Sequence, residues 1–388
     1  MIKIVFVSNQ MIRGGVEQAL ISLLKILDPK QFDITLLLVR KNGIWEKKIP
    51  NHVKICYMEE LCNPLQYMKK MVREKHVIMA LKKINIYRKI LHSDSYWKEN
   101  VLLTQFLPLL KEKYDIAVAY HAPGTLPVHY VINNVIATTK ILFIHGDIEK
   151  TKSISKDYCD LYAKYNKIVC VSEEAKQVFL KYNENMRMKT RMIHNIIDSK
   201  EIIKLSKEKI NINMDICTVA RLSKPKGIDI AIEASRILLN KGIDVKWYVC
   251  GDGEEKDNLE KLIKEYKLED NFFLLGATDN PYKYIANCSI YVQPSRHEGY
   301  CLTLAEARIL CKPIVTTLFS GASEQVENKE TGTIVNVNPE EIANGIEELK
   351  QNIILREKYI ENLKKEYMNN EKNNKEHIEL YKLLKNDN

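Results

Sequence analysis

Two stretches gather charge beside glycine in a way that could hold a phosphorylated ligand. The first, Arg221-Leu-Ser-Lys-Pro-Lys-Gly-Ile-Asp229, puts Arg221 and Lys226 into one short loop. A guanidinium can grip a diphosphate through forked hydrogen bonds, and an ammonium acts on it as a point charge. A merely solvated basic loop would look the same. The second, Pro294-Ser-Arg-His-Glu-Gly-Tyr-Cys-Leu-Thr-Leu-Ala-Glu306, places Glu298 in a loop and Glu306 in the first turns of a helix expected to start near Tyr300–Thr303. Amides around Gly299, Tyr300, Cys301 and Leu302 would face a phosphate or sugar oxygen at that helix start. Glu is frequent in this chain, so the spacing of the two acids means nothing alone. Their placement opposite a cationic loop of the same domain carries the reading.

Two weaker signals lie in the first half. Gly14-Gly15-Val-Glu17 follows a strand and opens a helix running to about Leu27. A glycine pair lets backbone approach a ligand, but a plain turn would also use it. His145-Gly-Asp147 follows another strand, where an imidazole could donate to a sugar hydroxyl; a capping or core histidine is the simpler explanation. The cysteines are scattered with no CxxC pair, which reads as free thiols in a reducing compartment and argues against a zinc site. No D-x-D acid pair occurs either, so neither a bound metal nor a resident cofactor is expected.

The elements that must position these residues are strands and helices in alternation. Strands are expected at 3–7, 33–39, 53–58, 115–120, 141–144 and 168–171, and again at 216–220, 245–250, 272–275, 290–293 and 314–317. Continuous apolar strands between helices mean parallel sheets covered on both faces, and ligands then bind beyond the carboxyl ends of the strands. The pattern restarts after residue 200, which divides the 388-residue chain into a domain 1–197 and a domain 198–388. The boundary falls in the polar stretch from Ser199 to Asn213, and a last helix of about 366–388 packs back on the first domain, with its end at Lys385–Asn388 frayed.

One segment, 64–100, breaks the rhythm with no strand. Between 69 and 89 it carries Lys69, Lys70, Arg73, Lys75, Lys82, Lys83, Arg88 and Lys89 against the single acid Glu74, interleaved with apolar residues. It reads equally as a basic amphipathic helix on an anionic membrane and as a solvated helix packed on its own domain. The net charge of +9 points to an anionic partner without naming it. The first residues read as a strand, not a signal peptide, and no apolar run reaches membrane-spanning length. A cytoplasmic location, in contact with the inner face of the plasma membrane if the basic segment binds there, is the expectation.

With these residues in view, the chain resembles the GT-B glycosyltransferases of retaining family 4, the glycosyl transferases group 1. Glu298-Gly-Tyr-Cys-Leu-Thr-Leu-Ala-Glu306 is similar to the family's E-x7-E motif, Arg221 and Lys226-Gly227 to its diphosphate loop, Gly14-Gly15 to its N-terminal glycine turn, and His145 to its N-domain histidine. His194-Asn-Ile-Ile-Asp198, Leu275-Gly276, Pro294-Ser295 and Gly321…Glu324 follow in order. Two positions depart from the pattern: Cys301 stands where a glycine is usual, and Ser320-Gly321 where two glycines are.

The resemblance implies an α/β fold of two Rossmann-like parallel-sheet domains facing across a cleft, an acceptor-binding one first and a nucleotide-sugar-binding one second. It implies that Glu306 accepts from the ribose hydroxyls, that Arg221 and Lys226 hold the diphosphate, and that Glu298 and the amides of Gly299–Leu302 orient the donor sugar. His145 would reach the sugar, and Gly15 would offer an amide near the phosphates or acceptor. The implied reaction is metal-independent, retaining transfer of a hexose or N-acetylhexosamine from a nucleotide-diphosphate sugar, UDP-linked, to a glycan or lipid-linked acceptor in cell-surface polysaccharide synthesis. A sugar-nucleotide epimerase or a non-catalytic subunit partnering another transferase are the alternatives. The chain has no aromatic-basic platform for nucleic acid.

Overall fold

The computed structural model describes residues 1–58, 60, 64–212, 214–319, 321–373 and 375–385. Ser320, Asn213 and residues 386–388, which figure in the sequence reading, lie outside the described residues. The chain divides into one unit of Met1–Ile196 with the segment from Glu376 on, and a second of Ile197–Lys375.

The first unit runs β1 (Ile2–Ser8), α1 (Gly15–Ile26), β2 (Phe32–Leu38), β3 (Lys54–Tyr57), α2 (Pro64–Arg73), α3 (Val77–Leu91), α4 (Tyr96–Phe106), β4 (Leu110–His121), α5 (Leu126–Asn134), β5 (Val135–Ile144), α6 (Lys156–Ala163), β6 (Lys167–Cys170), α7 (Glu173–Tyr182) and β7 (Thr190–Met192). Its seven strands pair in the order β3-β2-β1-β4-β5-β6-β7, all parallel. The second unit runs α8 (Ser199–Ser206), β8 (Ile216–Val219), α9 (Ile228–Asn240), β9 (Trp247–Cys250), α10 (Lys256–Glu265), β10 (Phe272–Gly276), α11 (Tyr282–Asn287), β11 (Ile290–Gln293), α12 (Leu302–Ile309), β12 (Ile314–Thr317), α13 (Ala322–Gln325), β13 (Thr333–Val335), α14 (Pro339–Gln351) and α15 (Ile353–Asn373). Its six strands are also parallel, ordered β10-β9-β8-β11-β12-β13.

Both sheets are doubly wound. In the second, Ile216, Trp247, Val249 and Val292 pack with α9 and α14 in one apolar cluster. Cys217 and Tyr291 pack with α8, α11 and α12 in another. This two-sided burial is why the strands read as unbroken apolar runs. The final helix, α16 (Lys375–Lys385), joins the first unit: the Tyr381 hydroxyl donates to Ile26 O (2.8 Å) at the end of α1, and Leu380, Leu383 and Leu384 are buried. The segment 64–100 forms α2, α3 and the start of α4, with no strand among its described residues.

Strand order reverses between β1 and β4 in the first sheet and between β8 and β11 in the second. A reversal sends the two following connections to opposite faces and opens a crevice at the carboxyl ends, where doubly wound sheets take ligands. The cationic loop follows β8 and the Glu298 loop follows β11, so both border that crevice.

Candidate functional site

In the second unit the chain leaves β8 into Arg221–Ser223 and a short 3₁₀ turn, Lys224–Lys226, before α9. Backbone bonds from Ala220 N to Cys250 O (3.1 Å) and from Leu222 N to Asp252 O (3.0 Å) tie the start of this loop to the end of β9. Its far side is tied to the β11 loop, since Arg296 N and His297 N both donate to Pro225 O (2.8 and 3.2 Å). Between them sits Gly227, at φ +67°, where an added Cβ would lie 2.0 Å from Pro294 O. Only glycine allows this approach and this backbone. The Arg296 guanidinium completes the junction with two 2.7 Å bonds to the Asp229 carboxylate and a third to Lys224 O (2.9 Å). Burial pushes the Asp229 carboxyl up, and the Arg296 guanidinium together with the backbone amides of Asp229 and Ile230 more than offsets it, leaving it below the usual carboxylate range.

The junction delivers Lys226 to Glu298. Their Nζ–Oε2 distance is 2.6 Å, and Glu298 is nearly buried. The other carboxylate oxygen accepts from the Ser295 hydroxyl (2.9 Å), which accepts in turn from Gln293 Nε2 (2.9 Å). Gln293 Oε1 accepts from the hydroxyls of Tyr291 (2.7 Å) and Thr303 (3.1 Å). Gln293, Ser295 and Tyr291 are fully buried, so Glu298 is aimed by a side-chain chain rooted in β11. Arg221 lies on the same loop as Lys226 and is exposed; among the described residues its guanidinium has no ion-pair partner.

Helix α12 opens where the Glu298 loop ends. Its first amides have no acceptor within the helix, and the sequence there is Gly299-Tyr-Cys-Leu302. Cys301 caps it at φ 68°, a left-handed backbone in a non-glycine residue. The turn before α13 packs on this segment: Gly321, at φ +78°, would bring a Cβ to 2.9 Å from Gly299 O, and Gln325 Nε2 donates to Tyr300 O. Glu306, within α12, is buried and accepts from the Tyr282 hydroxyl at 3.1 Å. Burial and then the Glu306 charge hold the Tyr282 phenol well above its ordinary pKa. A carboxylate buried on this helix is retained only with donors around it.

In the first unit Gly15 is the first residue of α1 and is exposed, with Gly14 before it as cap. His145 follows β5. Its ring packs on Tyr120 (centroids 4.3 Å) and stacks on Phe143 (5.9 Å), and its Nε2 is shut off from solvent with no hydrogen-bond partner. Burial, then the neighbouring His121, lower its pKa to about 3, so the imidazole is neutral at pH 7. His121 ends β4 opposite Ile144, and no sequence motif points to it. Its Nδ1 is likewise buried and unpartnered, and burial lowers its pKa to about 4.

The structure therefore gathers Lys226, Glu298 and the α12 start in one place, with Arg221 on the same loop as Lys226 and Glu306 within α12. His145, just past β5, and Gly15, at the start of α1, belong to the other unit. Ser295, Gln293, Arg296 and Asp229, to which sequence reasoning gave no role, set the geometry. Among the described residues no group of three or more His, Cys, Asp or Glu could hold a metal ion, and no helix is long and apolar enough to cross a membrane.

Residues 199–366 match the sequence model of the family Glycosyl transferases group 1. Among curated relatives, a poly(ribitol-phosphate) alpha-N-acetylglucosaminyltransferase of Staphylococcus aureus is 25% identical over 277 residues, which cover 69% of this chain and 55% of that protein. An N-acetylgalactosamine-N,N'-diacetylbacillosaminyl-diphospho-undecaprenol 4-alpha-N-acetylgalactosaminyltransferase of Campylobacter jejuni is 34% identical over 174 residues, 44% of this chain and 47% of that protein. The chain thus spans about half the length of these two relatives. Among solved structures, a mutant Staphylococcus aureus TarM in complex with fondaparinux, alpha-GlcNAc-glycerol and UDP superposes with a TM-score of 0.73 at 17% identity, covering 99% of both chains. That likeness is one of fold, and the fold is GT-B.

Proposed function

We propose that this chain, a member of the glycosyl transferases group 1 family, transfers a hexose or N-acetylhexosamine from a UDP-sugar to a glycan or lipid-linked acceptor with retention, in the synthesis of a cell-surface polysaccharide. The observation that carries the reading is the Lys226–Glu298 pair, fixed at the strand-order reversal beside the start of α12. The UDP in the TarM complex and the sugar transfers named for the two relatives are consistent with it.

The chemistry follows from the groups present. An ammonium has three donors, and Lys226 gives one to Glu298, so two remain for diphosphate oxygens. Arg221 adds a forked cation from the same loop. Transfer builds negative charge on the leaving diphosphate while the sugar passes through an oxocarbenium-like state. Fixed cations and helix-start amides at Gly299–Leu302 stabilise that charge without reorganising. Each Glu298 oxygen keeps a lone pair for a sugar hydroxyl, which orients the ring. Glu306 takes the ribose hydroxyls from its buried position on α12. We assign neutral His145 to a sugar hydroxyl and the Gly15 amide to a phosphate or acceptor oxygen.

The test is a panel of nucleotide sugars scored for released nucleotide diphosphate, with the product anomer read by NMR. Glu306→Ala and Lys226→Ala are each expected to lower turnover at least about tenfold, roughly 1.4 kcal/mol of transition-state stabilisation. Near-normal activity in both would end the assignment.

A further inference from the structure

Helix α3 carries Val77, Ile78, Met79, Leu81, Ile84, Ile86, Ile90 and Leu91, yet Ala80 is its one buried residue. It packs on one side only. Tyr87 lies against Phe106 (centroids 5.8 Å), and Lys83 turns inward to donate to Gln105 O (2.8 Å) and Phe106 O (2.6 Å) at the end of α4. Lys83 is thereby removed from the cations the segment offers to solvent. The opposite side is open. Val72 near the end of α2 is 48% exposed, and in the first turns of α3 Val77 is 48%, Ile78 75%, Met79 50% and Leu81 61% exposed. Five large apolar side chains thus crowd the ten residues around the α2–α3 turn. A water-facing surface rarely leaves such a patch uncovered.

The shoulders of this turn are cationic. Lys69, Arg73 and Lys75 flank it on one side, and Lys82, Arg88 and Lys89 follow along α3, all exposed. Glu74 is the one acid between Pro64 and Ser93, within 3.9 Å of Lys70. Two copies meeting through this face would oppose cation to cation, so the charge argues against self-association. A polyanion alone would satisfy the lysines and leave Ile78 and its neighbours in water. A surface that offers phosphates above and hydrocarbon beneath satisfies both, with the long cationic side chains reaching back to the headgroups.

We propose that the α2–α3 turn is a membrane-docking surface that sinks its apolar tip into the headgroup boundary of an anionic bilayer while the flanking lysines and arginines pair with lipid phosphates. The proposal goes beyond the transfer reaction and stands independently of the donor site, since it involves none of its residues. It is tested with the full chain by flotation with vesicles of phosphatidylglycerol mixed with phosphatidylcholine, and with vesicles of phosphatidylcholine alone. The chain is expected to float with the first and to bind the second at least about tenfold more weakly. Ile78→Ser with Leu81→Ser, and separately Lys82→Glu with Lys89→Glu, should each reduce flotation by about tenfold or more, with melting temperatures unchanged because all four side chains are exposed. Equal flotation of parent and both double variants overturns the proposal. So does equal binding to neutral vesicles, or a dimer in light scattering that Ile78→Ser with Leu81→Ser converts to monomer. Turnover of a UDP-sugar with a soluble acceptor is expected to survive both double variants, so failure here and failure at the donor site are separately visible.

Discussion

Cys301 shows how one residue can carry both the strain and the opportunity of a site. Its backbone sits at φ 68°, ψ 81°, where a Cβ crowds the following carbonyl and costs about 1–2 kcal/mol. The side chain is buried, with its Sγ 3.5 Å from Thr303 Oγ1, so the packing it gains offsets part of that strain. Cys301→Gly would relieve the backbone but lose the packing and add about 1 kcal/mol of unfolded-chain entropy. It should therefore melt within about 1 kcal/mol of the parent. Cys301→Val is β-branched and cannot accept this φ without distortion, so we expect a loss of at least about 2 kcal/mol. Urea unfolding of both variants checks this, and a fully stable valine variant would mean the cap is not held left-handed. The same comparison should appear in donor affinity, because the residue carries one of the amides that open α12. The sequence already marks this position as a departure from glycine; the backbone angle explains why glycine is the usual choice.

At the scale of elements, the site depends on a junction between the β8 loop, α9 and the β11 loop. The Arg296–Asp229 pair is partly exposed, so its loss should change stability by less than about 1 kcal/mol. It also fixes the turn that carries Lys226, and a small displacement of a catalytic group slows a reaction far more than the strength of one ion pair would suggest. Arg296→Met and Asp229→Asn are therefore expected to raise the KM for the nucleotide sugar about three- to tenfold while leaving the melting temperature close to that of the parent. Wild-type KM in both would show that the backbone bonds to Pro225 position the loop unaided. This junction could not be read from sequence, because the partners lie 67 positions apart and neither belongs to a spacing pattern. Ser295 and Gln293 were hidden for a related reason: fully buried polar residues interrupt the apolar pattern without announcing their partners. The strands that cross the sheet centres were legible as apolar runs. Thr190–Met192 and Thr333–Val335 were not, since each is a three-residue strand at a sheet edge with one neighbour and too little burial to impose a composition.

For the whole molecule, the two units should respond differently to acid. Of the nine histidines, His297 alone belongs to the second unit. In the first, burial lowers His121 and His129 to about 4, and burial with the neighbouring His121 lowers His145 to about 3. His129 is the most enclosed, 1% exposed on α5, between Trp97 of α4 (ring centroids 4.6 Å) and Tyr158 of α6 (6.1 Å), with neither ring nitrogen hydrogen-bonded. An unfolded histidine titrates near 6.5, so between about pH 6.5 and 4 the unfolded chain binds more protons than the folded one. Stability from these neutral imidazoles is therefore complete above pH 6.5 and is lost as the pH falls toward 4. For His129 alone the loss by pH 5 is about 2 kcal/mol. The first unit should accordingly melt earlier at pH 5 than at pH 7.5, splitting the calorimetric transition in two. His129→Leu removes the buried proton acceptor while keeping an apolar side chain between Trp97 and Tyr158. Its pH 5 to pH 7.5 difference in unfolding free energy should be smaller than the parent's by about 2 kcal/mol. An unchanged difference would mean that His129 titrates alike in the folded and unfolded chain, and that the acid response of the first unit arises at His121 and His145.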